Sequence, residues 1–334
     1  MQKRLLRLFS VICIGLLGLY LVTGSCSNRG SQDEKHRPRK IIPYITITGS
    51  LELYPLLSQL AFEFNRIYPD VRIDVTPGSS IHNQPDICFR MMDSENPANT
   101  IKEGSWDTSL ISMPLAYDAI LPFGNKTNPY LEKLKSSGIT QNQFRYIFLD
   151  ATLDHWGQLT KADSSYQINP FTRTDLCESG EIWSSFLGTD QSHLTGTGVY
   201  GEAGMVMAVR KNTYSIGYAS MRYIYDRKTF EPMGDLAVIP IDLDKNGKID
   251  IYENFFNNLE DLSYAIKRGS YPSPPARTLF IIFGRPPVNK LVNEFIIWIF
   301  ENGRQTIEDA GYVAPDENII NKNITRINDF NQLP

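Results

Sequence analysis

The chain has 334 residues, of which 42% are hydrophobic and 21% charged, and its net charge at pH 7 is −4. That length is large for one hydrophobic core, so two domains or one extended domain are expected. The acidic balance argues against a nucleic-acid-binding protein, which would favour a basic surface.

The N-terminus has the layout of a secretory signal. Three basic residues, Lys3, Arg4 and Arg7, accompany an almost wholly apolar run over 5–22, and small residues then precede Cys26. Bacterial lipoproteins are cleaved just before a cysteine that receives lipid, so a lipoprotein signal and lipidation at this cysteine are predicted. The match is loose, because a leucine is usual three residues before the cysteine. The alternatives are a plain signal peptide or an uncleaved transmembrane helix, for which the apolar run is marginal in length.

The segment after Cys26 is predicted to be a flexible tether. Residues 27–40 are polar and charged with almost no apolar side chains, so they cannot bury enough surface to offset the entropy cost of ordering. The predicted organisation is a signal peptide over 1–25, a tether over 26–40 and a globular body from Ile41 onwards.

The body begins with the pattern of a β-loop-α-β unit. Tyr44–Thr48 predicts a short strand. Apolar residues then recur at helical spacing from Leu53 to Ile67, and Val71–Val75 alternates as a second strand. This order of elements is typical of a parallel α/β sheet.

Further elements follow along the body. Strands or sheet segments are predicted at Leu110–Ile111, Ala119–Pro122, Val206–Val209, Ser215–Tyr218 and Asp235–Ile241. Helices are predicted at Gln141–Leu149, from near Ser179, and at Val288–Glu301. Together they predict an α/β fold of two lobes with a ligand cleft between them. Lobe 1 is expected to comprise 41–115 and 236–334, and lobe 2 to comprise 116–235.

Two strand-to-helix junctions could hold an anion. Ser50 lies at one and Ser179 at the other, and helix N-termini offer unpaired backbone N–H groups with partial positive charge. The alternative is simple N-capping, which is the commoner use of serine. Arg173 lies six residues before Ser179, where a guanidinium fork could clamp an oxyanion. The alternative is a surface arginine paired with Asp175 or Glu178.

A second motif, Asp242–Glu253, fits the twelve-residue calcium loop at every liganding position. Gly247 permits the sharp turn, and Ile249 is expected to pack inward. The predicted oxygen ligands are Asp242, Asp244, Asn246, the Lys248 carbonyl, Asp250 and Glu253. The alternative is a polar turn, because Asp and Asn are common in turns. A predicted strand precedes the loop, so we expect one structural calcium site of strand-loop-helix form and not a paired sensor.

The sequence offers no support for an enzyme. Its histidines are scattered, and none has the spacing of a metal site or a catalytic triad; they are His36, His82, His155 and His193. Ser179 lacks the context of a nucleophile elbow. The chain is therefore predicted not to be an enzyme.

Four segments of the body carry a family resemblance. Over 45–80 a Gly-Ser pair precedes a helix that contains Tyr-Pro, and over 171–183 an arginine is followed by a Ser-Gly pair. Over 199–218 a Gly-rich turn precedes Ile-Gly-Tyr, and 270–275 is a Pro-rich stretch ahead of the closing helix. In this order they resemble the phosphate-binding proteins of ABC importers, the PstS family.

The resemblance implies a type II periplasmic binding fold, whose two lobes close over a tetrahedral oxyanion. The implied function is that of a monomeric extracytoplasmic lipoprotein, at the periplasm or cell surface, which delivers phosphate or a related oxyanion to an ABC permease. The ligand-binding residues that the resemblance implies, position by position, are Ser50, Leu51, Ser79, Arg173, Ser179, Gly180 and Glu181.

Some residues depart from the family pattern. Glu52 lies where a small or neutral residue is usual, and Glu181 replaces the usual Thr. A carboxylate suits a helix N-terminus, but it would repel an anion bound there unless it points away. The stretch 78–86 is shorter than in the family, Met91-Met92 replaces a polar pair, and Asp93 is an offset stand-in for the family aspartate. The alternative function is a cell-surface interaction or sensing lipoprotein of the same fold with lost or altered anion binding.

The body also contains two cysteines, Cys88 and Cys177. Two thiols outside the cytosol could form a disulfide. The sequence gives no distance between them, so the paired and the free states both stay open.

Overall fold

The computed structural model describes residues 42–78, 85–92, 110–163, 165–284 and 290–331. The predicted signal peptide, the tether and the lipidation site Cys26 lie outside these residues, as do Ser79 and Asp93. Within the described ranges, no helix has both the length and the apolar character needed to cross a membrane.

The described residues form eleven strands and ten α-helices. The strands are β1 (Tyr44–Gly49), β2 (Arg72–Pro77), β3 (Ile87–Met92), β4 (Leu110–Asn125), β5 (Ile139–Thr140), β6 (Asn169–Arg173), β7 (Thr197–Val199), β8 (Ser215–Ser220), β9 (Leu236–Val238), β10 (Ile241–Asp242) and β11 (Ala276–Gly284). The helices are α1 (Tyr54–Ile67), α2 (Leu131–Ser137), α3 (Gln141–Phe148), α4 (Trp156–Thr160), α5 (Glu178–Phe186), α6 (Gly201–Lys211), α7 (Leu259–Lys267), α8 (Lys290–Asn302), α9 (Arg304–Asp309) and α10 (Glu317–Asn331).

Nine of these strands form one mixed sheet in the order β2-β1-β3-β11-β4-β8-β6-β7, with β9 also paired to β4. β1 is parallel to β2 and β3, whereas β11 is antiparallel to β3 and β4. The predicted β-loop-α-β unit and the α/β class are therefore confirmed. β4 is 16 residues long and contains both of the strands predicted at Leu110–Ile111 and Ala119–Pro122.

Two large hydrophobic cores lie along the described part of this sheet, and a small third cluster forms around Cys88 and Phe280. In the first, Phe64 of α1 and Phe295 of α8 pack edge to face, with ring centroids 5.0 Å apart. The second core lies around Trp183 of α5 and includes residues from 236–276. β4 contributes to both, with Ala116 in the first and Ala119 in the second. The cores thus meet on a shared strand, while the exact lobe boundaries stay a prediction.

One predicted element is wrong. Val206–Val209 lies in helix α6 and not in a sheet segment. The buried side chains of α6 include Met205, Val206 and Val209, a spacing that places them on one helical face. An acidic residue in the first turn and basic residues in the last also complement the helix dipole.

Candidate functional site

The chain after β1 makes a turn before its helix begins. α1 starts at Tyr54, and the carbonyl of Ser50 accepts a hydrogen bond from the N–H of Leu53 at 3.0 Å. Ser50 therefore does not cap this helix. Its hydroxyl donates to Oε2 of Glu178 at 3.0 Å, whereas the neighbouring Leu51 is 72% exposed. Of the two residues predicted here, the serine faces the side chains described below and the leucine faces solvent.

The N-terminus of α5 is capped by Cys177. The thiol sulfur accepts a hydrogen bond from the N–H of Gly180 at 3.3 Å, so this donor is already used within the helix. A Cβ at Gly180 would lie 2.3 Å from Cδ of Gln191, which explains the glycine by packing. The side chain of Glu181 is exposed. Ser179 is different, because it is 1% exposed and its hydroxyl donates to Oε1 of Glu202.

Arg173 at the end of β6 is a buried arginine and not a surface one, with a side chain only 5% exposed. Its Nε and Nη2 donate to Oδ1 and Oδ2 of Asp175 at 2.9 and 2.5 Å. Its Nη1 lies 3.2 Å from Oε1 of Glu202. The guanidinium of Arg173 therefore has the fork geometry expected of an oxyanion clamp. It also forms the ion pair with Asp175 that was the alternative to such a clamp.

A second buried guanidinium, Arg277, was missed in the sequence. It faces Asp118 directly across the β11–β4 ladder, and its Nη2 and Nε donate to Oδ2 of that aspartate at 2.6 and 2.9 Å. Both side chains have no exposed surface. Each of these residues is a charged side chain within a largely apolar strand. That pattern could have indicated a buried ion pair, because a charge is rarely buried without a partner.

Glu52 connects the remaining charges. Its Oε1 accepts from Nη2 of Arg277 at 2.8 Å and lies 3.4 Å from Nη2 of Arg222. Burial alone would raise the pKa of Glu52, but these two guanidinium groups outweigh it and hold the pKa below its ordinary value. Glu178 lies 3.9 Å from Nη1 of Arg277. The carboxylate of Glu52 thus points toward the site and not away from it.

The described residues of this network carry an excess of negative charge. Three guanidinium groups face five carboxylates, which would leave a net charge of −2 with every group ionised; the members are Arg173, Arg222, Arg277, Glu52, Asp118, Asp175, Glu178 and Glu202. Burial raises the pKa of Glu178 and of Glu202 to about 7. Oε2 of Glu202 is buried and has no hydrogen-bond partner among the residues described. The site is therefore rich in both anion-binding donors and competing acceptors.

The two cysteines left open by the sequence are free thiols in the structure. Cys88 is buried in β3 and Cys177 caps α5, and burial raises the pKa of each thiol to about 11. Neither thiol is poised for reactivity at neutral pH.

The predicted calcium loop brings three of its four acidic residues together, whereas the fourth, Asp250, accepts hydrogen bonds from the side chains of Asn246 and Lys248. Ligand oxygens of Asp242, Asp244 and Glu253 lie within 4.8 Å of one another. Asp242 and Glu253 are 2% and 0% exposed, and Gly247 has a φ of +82°, which favours glycine. These three carboxylates and the loop geometry fit the donor set that calcium prefers.

The flanks of the loop differ in part from the prediction. The loop leaves strand β10, as expected, which pairs in parallel with β5. The next helix, α7, begins only at Leu259, so the strand-loop-helix description is wrong on its exit side. Instead, the chain turns over 251–253 and has no regular secondary structure over 254–258. The N–H of Ile249 donates to the carbonyl of Ser136 at 2.7 Å, which fixes the loop against the end of α2.

The comparisons agree with this architecture. The family model described as the PBP superfamily domain matches residues 34–302. The chain is 22% identical over 307 residues to Protein SphX of Synechocystis sp., an alignment that covers 85% of this chain and 82% of the relative.

Solved structures show the same fold. A possible phosphate binding protein from Planctomyces limnophilus has a TM-score of 0.62 at 18% identity, covering 86% of this chain and 98% of its own. An ABC-type phosphate transport receptor from Vibrio cholerae has a TM-score of 0.59 at 18% identity, covering 81% of this chain and 100% of its own. The predicted two-lobed α/β fold is confirmed, and the chain belongs to the PBP superfamily.

Proposed function

We propose that the chain is a solute-binding protein of an ABC importer and that it binds an inorganic oxyanion, with phosphate as the ligand. The observation that carries the proposal is the buried fork of Arg173 beside the first turn of α5, where Ser179 adds a hydroxyl donor. Arg277 and Ser50 add further donors that lie within the same network. Buried guanidinium and hydroxyl groups are suited to tetrahedral oxyanions.

The remaining features are proposed on the same basis. The role is non-enzymatic: the protein captures the oxyanion, closes over it and docks on a membrane permease. It acts as a monomer at the periplasm or cell surface, and lipid on Cys26 anchors it to a membrane. The sequence pattern around Cys26 and the polar segment that follows it support the anchor.

A second candidate function is favoured by one specific observation. The carboxylates of Glu52, Glu178 and Glu202 already accept hydrogen bonds from the donors that would hold an anion. A protein with this arrangement could keep the fold as a cell-surface interaction or sensing lipoprotein without binding an oxyanion tightly.

Titration of the purified chain with phosphate separates the two candidates. After dialysis to remove carried-over ligand, we expect calorimetry at neutral pH to give a Kd of about 1 μM or tighter, which corresponds to about 8 kcal/mol. A thermal shift on adding phosphate should accompany the heat. Neither heat nor thermal shift at any pH would overturn the transport proposal in favour of the interaction protein.

We also propose that the loop over Asp242–Glu253 holds a structural calcium ion. We expect a chelator to lower the Tm by several degrees, because an ion present at 100 times its Kd stabilises the fold by about 2.7 kcal/mol. Asp242→Ala should abolish that response, whereas Glu260→Ala, on the exposed face of α7, should keep it. Equal Tm values with calcium and with chelator in the wild-type chain would contradict the site.

A further inference from the structure

The network contains hydroxyl and guanidinium groups that could bind an oxyanion. Each of these groups already contacts a carboxylate of the protein. Ser50 donates to Glu178 and Ser179 donates to Glu202. Arg173 is held partly by Glu202 as well. An entering anion that uses these donors must therefore take them from the carboxylates, and Glu178 and Glu202 are the two that hold the serine hydroxyls.

The charge balance makes that exchange costly while all carboxylates are ionised. Five carboxylates against three guanidinium groups leave the described network at −2 before any ligand enters. An oxyanion adds further negative charge in a buried region, where like charges repel strongly. A carboxylate that takes up a proton removes one of these charges and releases its donor.

We infer that Glu178 and Glu202 set the affinity of this site for an oxyanion, an inference that rests on the proposed function. The oxyanion binds together with a proton, which one of these two carboxylates takes up from solvent. Oε2 of Glu202 is buried and has no hydrogen-bond partner in the described part of the chain, so it supplies a place for that proton. Glu178 and Glu202 are thus affinity-determining residues that act by competing with the ligand for its donors.

The groups that face the pair lie on several elements. Those around Glu178 are Arg277 on β11, Ser50 and Glu52 after β1, Cys88 on β3 and Glu181 on α5. Those around Glu202 are Glu52, Ser179 on α5, Arg173 on β6, Cys177 after β6, and Arg277; Asp175 shares Arg173 with Glu202. Because burial already raises the pKa of both glutamates to about 7, a modest further rise on ligand binding suffices for proton uptake near neutral pH.

The sign of the pH dependence follows from this linkage. Below about pH 7 the carboxyls are already protonated in the free protein, so affinity should level off. Above that value each binding event must bring in a proton, so affinity should fall about tenfold per pH unit for one linked proton. Phosphate itself changes protonation over this pH range. The test therefore compares the affinities of wild type and variants at the same pH.

The experiment titrates the full-length chain with inorganic phosphate between pH 6 and 8.5. Wild type is compared with the double variant Glu178→Gln/Glu202→Gln, whose amides cannot titrate, and with Glu260→Gln as an exposed control. At pH 8 we expect the double variant to bind phosphate at least about tenfold more tightly than wild type. Calorimetry in buffers of different ionisation enthalpy should show about one more proton taken up by wild type and the control than by the double variant.

Binding with the same pH dependence and the same proton uptake in all three proteins would overturn this inference and leave the proposed function intact. Absence of phosphate binding by every protein at every pH would overturn both. Thermal melts at each pH establish that the double variant is folded in the titrations.

Discussion

Replacing Arg277 with Met is expected to lower the free energy of unfolding by about 3–5 kcal/mol. The guanidinium has no exposed surface and bonds to Asp118, which is equally buried, and to Glu52. Methionine preserves much of the side-chain volume but leaves both carboxylates without their main partner. An uncompensated buried charge costs far more than the ion pair itself contributes. Urea denaturation, followed by circular dichroism, measures the loss.

Two further variants make that result specific. Arg210→Met removes an exposed arginine that pairs with Asp235, and we expect a change within about 1 kcal/mol because surface pairs contribute little. Adding Asp118→Asn to Arg277→Met should recover part of the loss, since a neutral amide costs less to bury than a carboxylate. A loss below about 1 kcal/mol in Arg277→Met would contradict the buried pair.

Replacing Arg173 with Ala is expected to weaken phosphate binding by about 2–5 kcal/mol, because a buried anion loses a charged donor fork. The side chain is only 5% exposed and projects between Asp175 and Glu202. Arg173→Lys keeps the charge but not the fork, so it should retain only part of the affinity. Calorimetric titration with phosphate measures both variants.

The control for Arg173→Ala is Arg210→Ala, a truncation at the exposed end of α6, which should bind phosphate as wild type does. Because truncation removes the guanidinium partner of both Asp175 and Glu202, thermal melts must show that each variant is folded at the titration temperature. Unchanged affinity in folded Arg173→Ala would remove this arginine from the ligand site.

Local pattern predicted much of the fold. Helical spacing located α1, a short β-rich run located β1, and alternating residues located β2. The same signal failed at Val206–Val209, where a short apolar run is compatible with either a strand or one face of a helix. Ser50 was placed one turn too close to α1, because the intervening turn has no distinct sequence signature.

The charge network was harder to predict, because its partners are distant in sequence. Arg277 and Asp118 are 159 residues apart and meet only through the antiparallel register of β11 and β4. Arg173 was identified from its position before α5, but its contact with Glu202 depends on the placement of α6. Sequence pattern therefore locates individual charges, whereas the balance between them emerges only from the tertiary fold.

The sharing of β4 between the two cores has a consequence for protein engineering. Ala116 belongs to one core and Ala119, three residues later, to the other, so no single cut in the chain yields two fragments that each retain a complete sheet. A fluorescent reporter or a circular permutation therefore belongs in an exposed segment such as 228–231. A chimera that exchanged one half for that of a relative would have to exchange strand β4 at a junction inside the sheet itself.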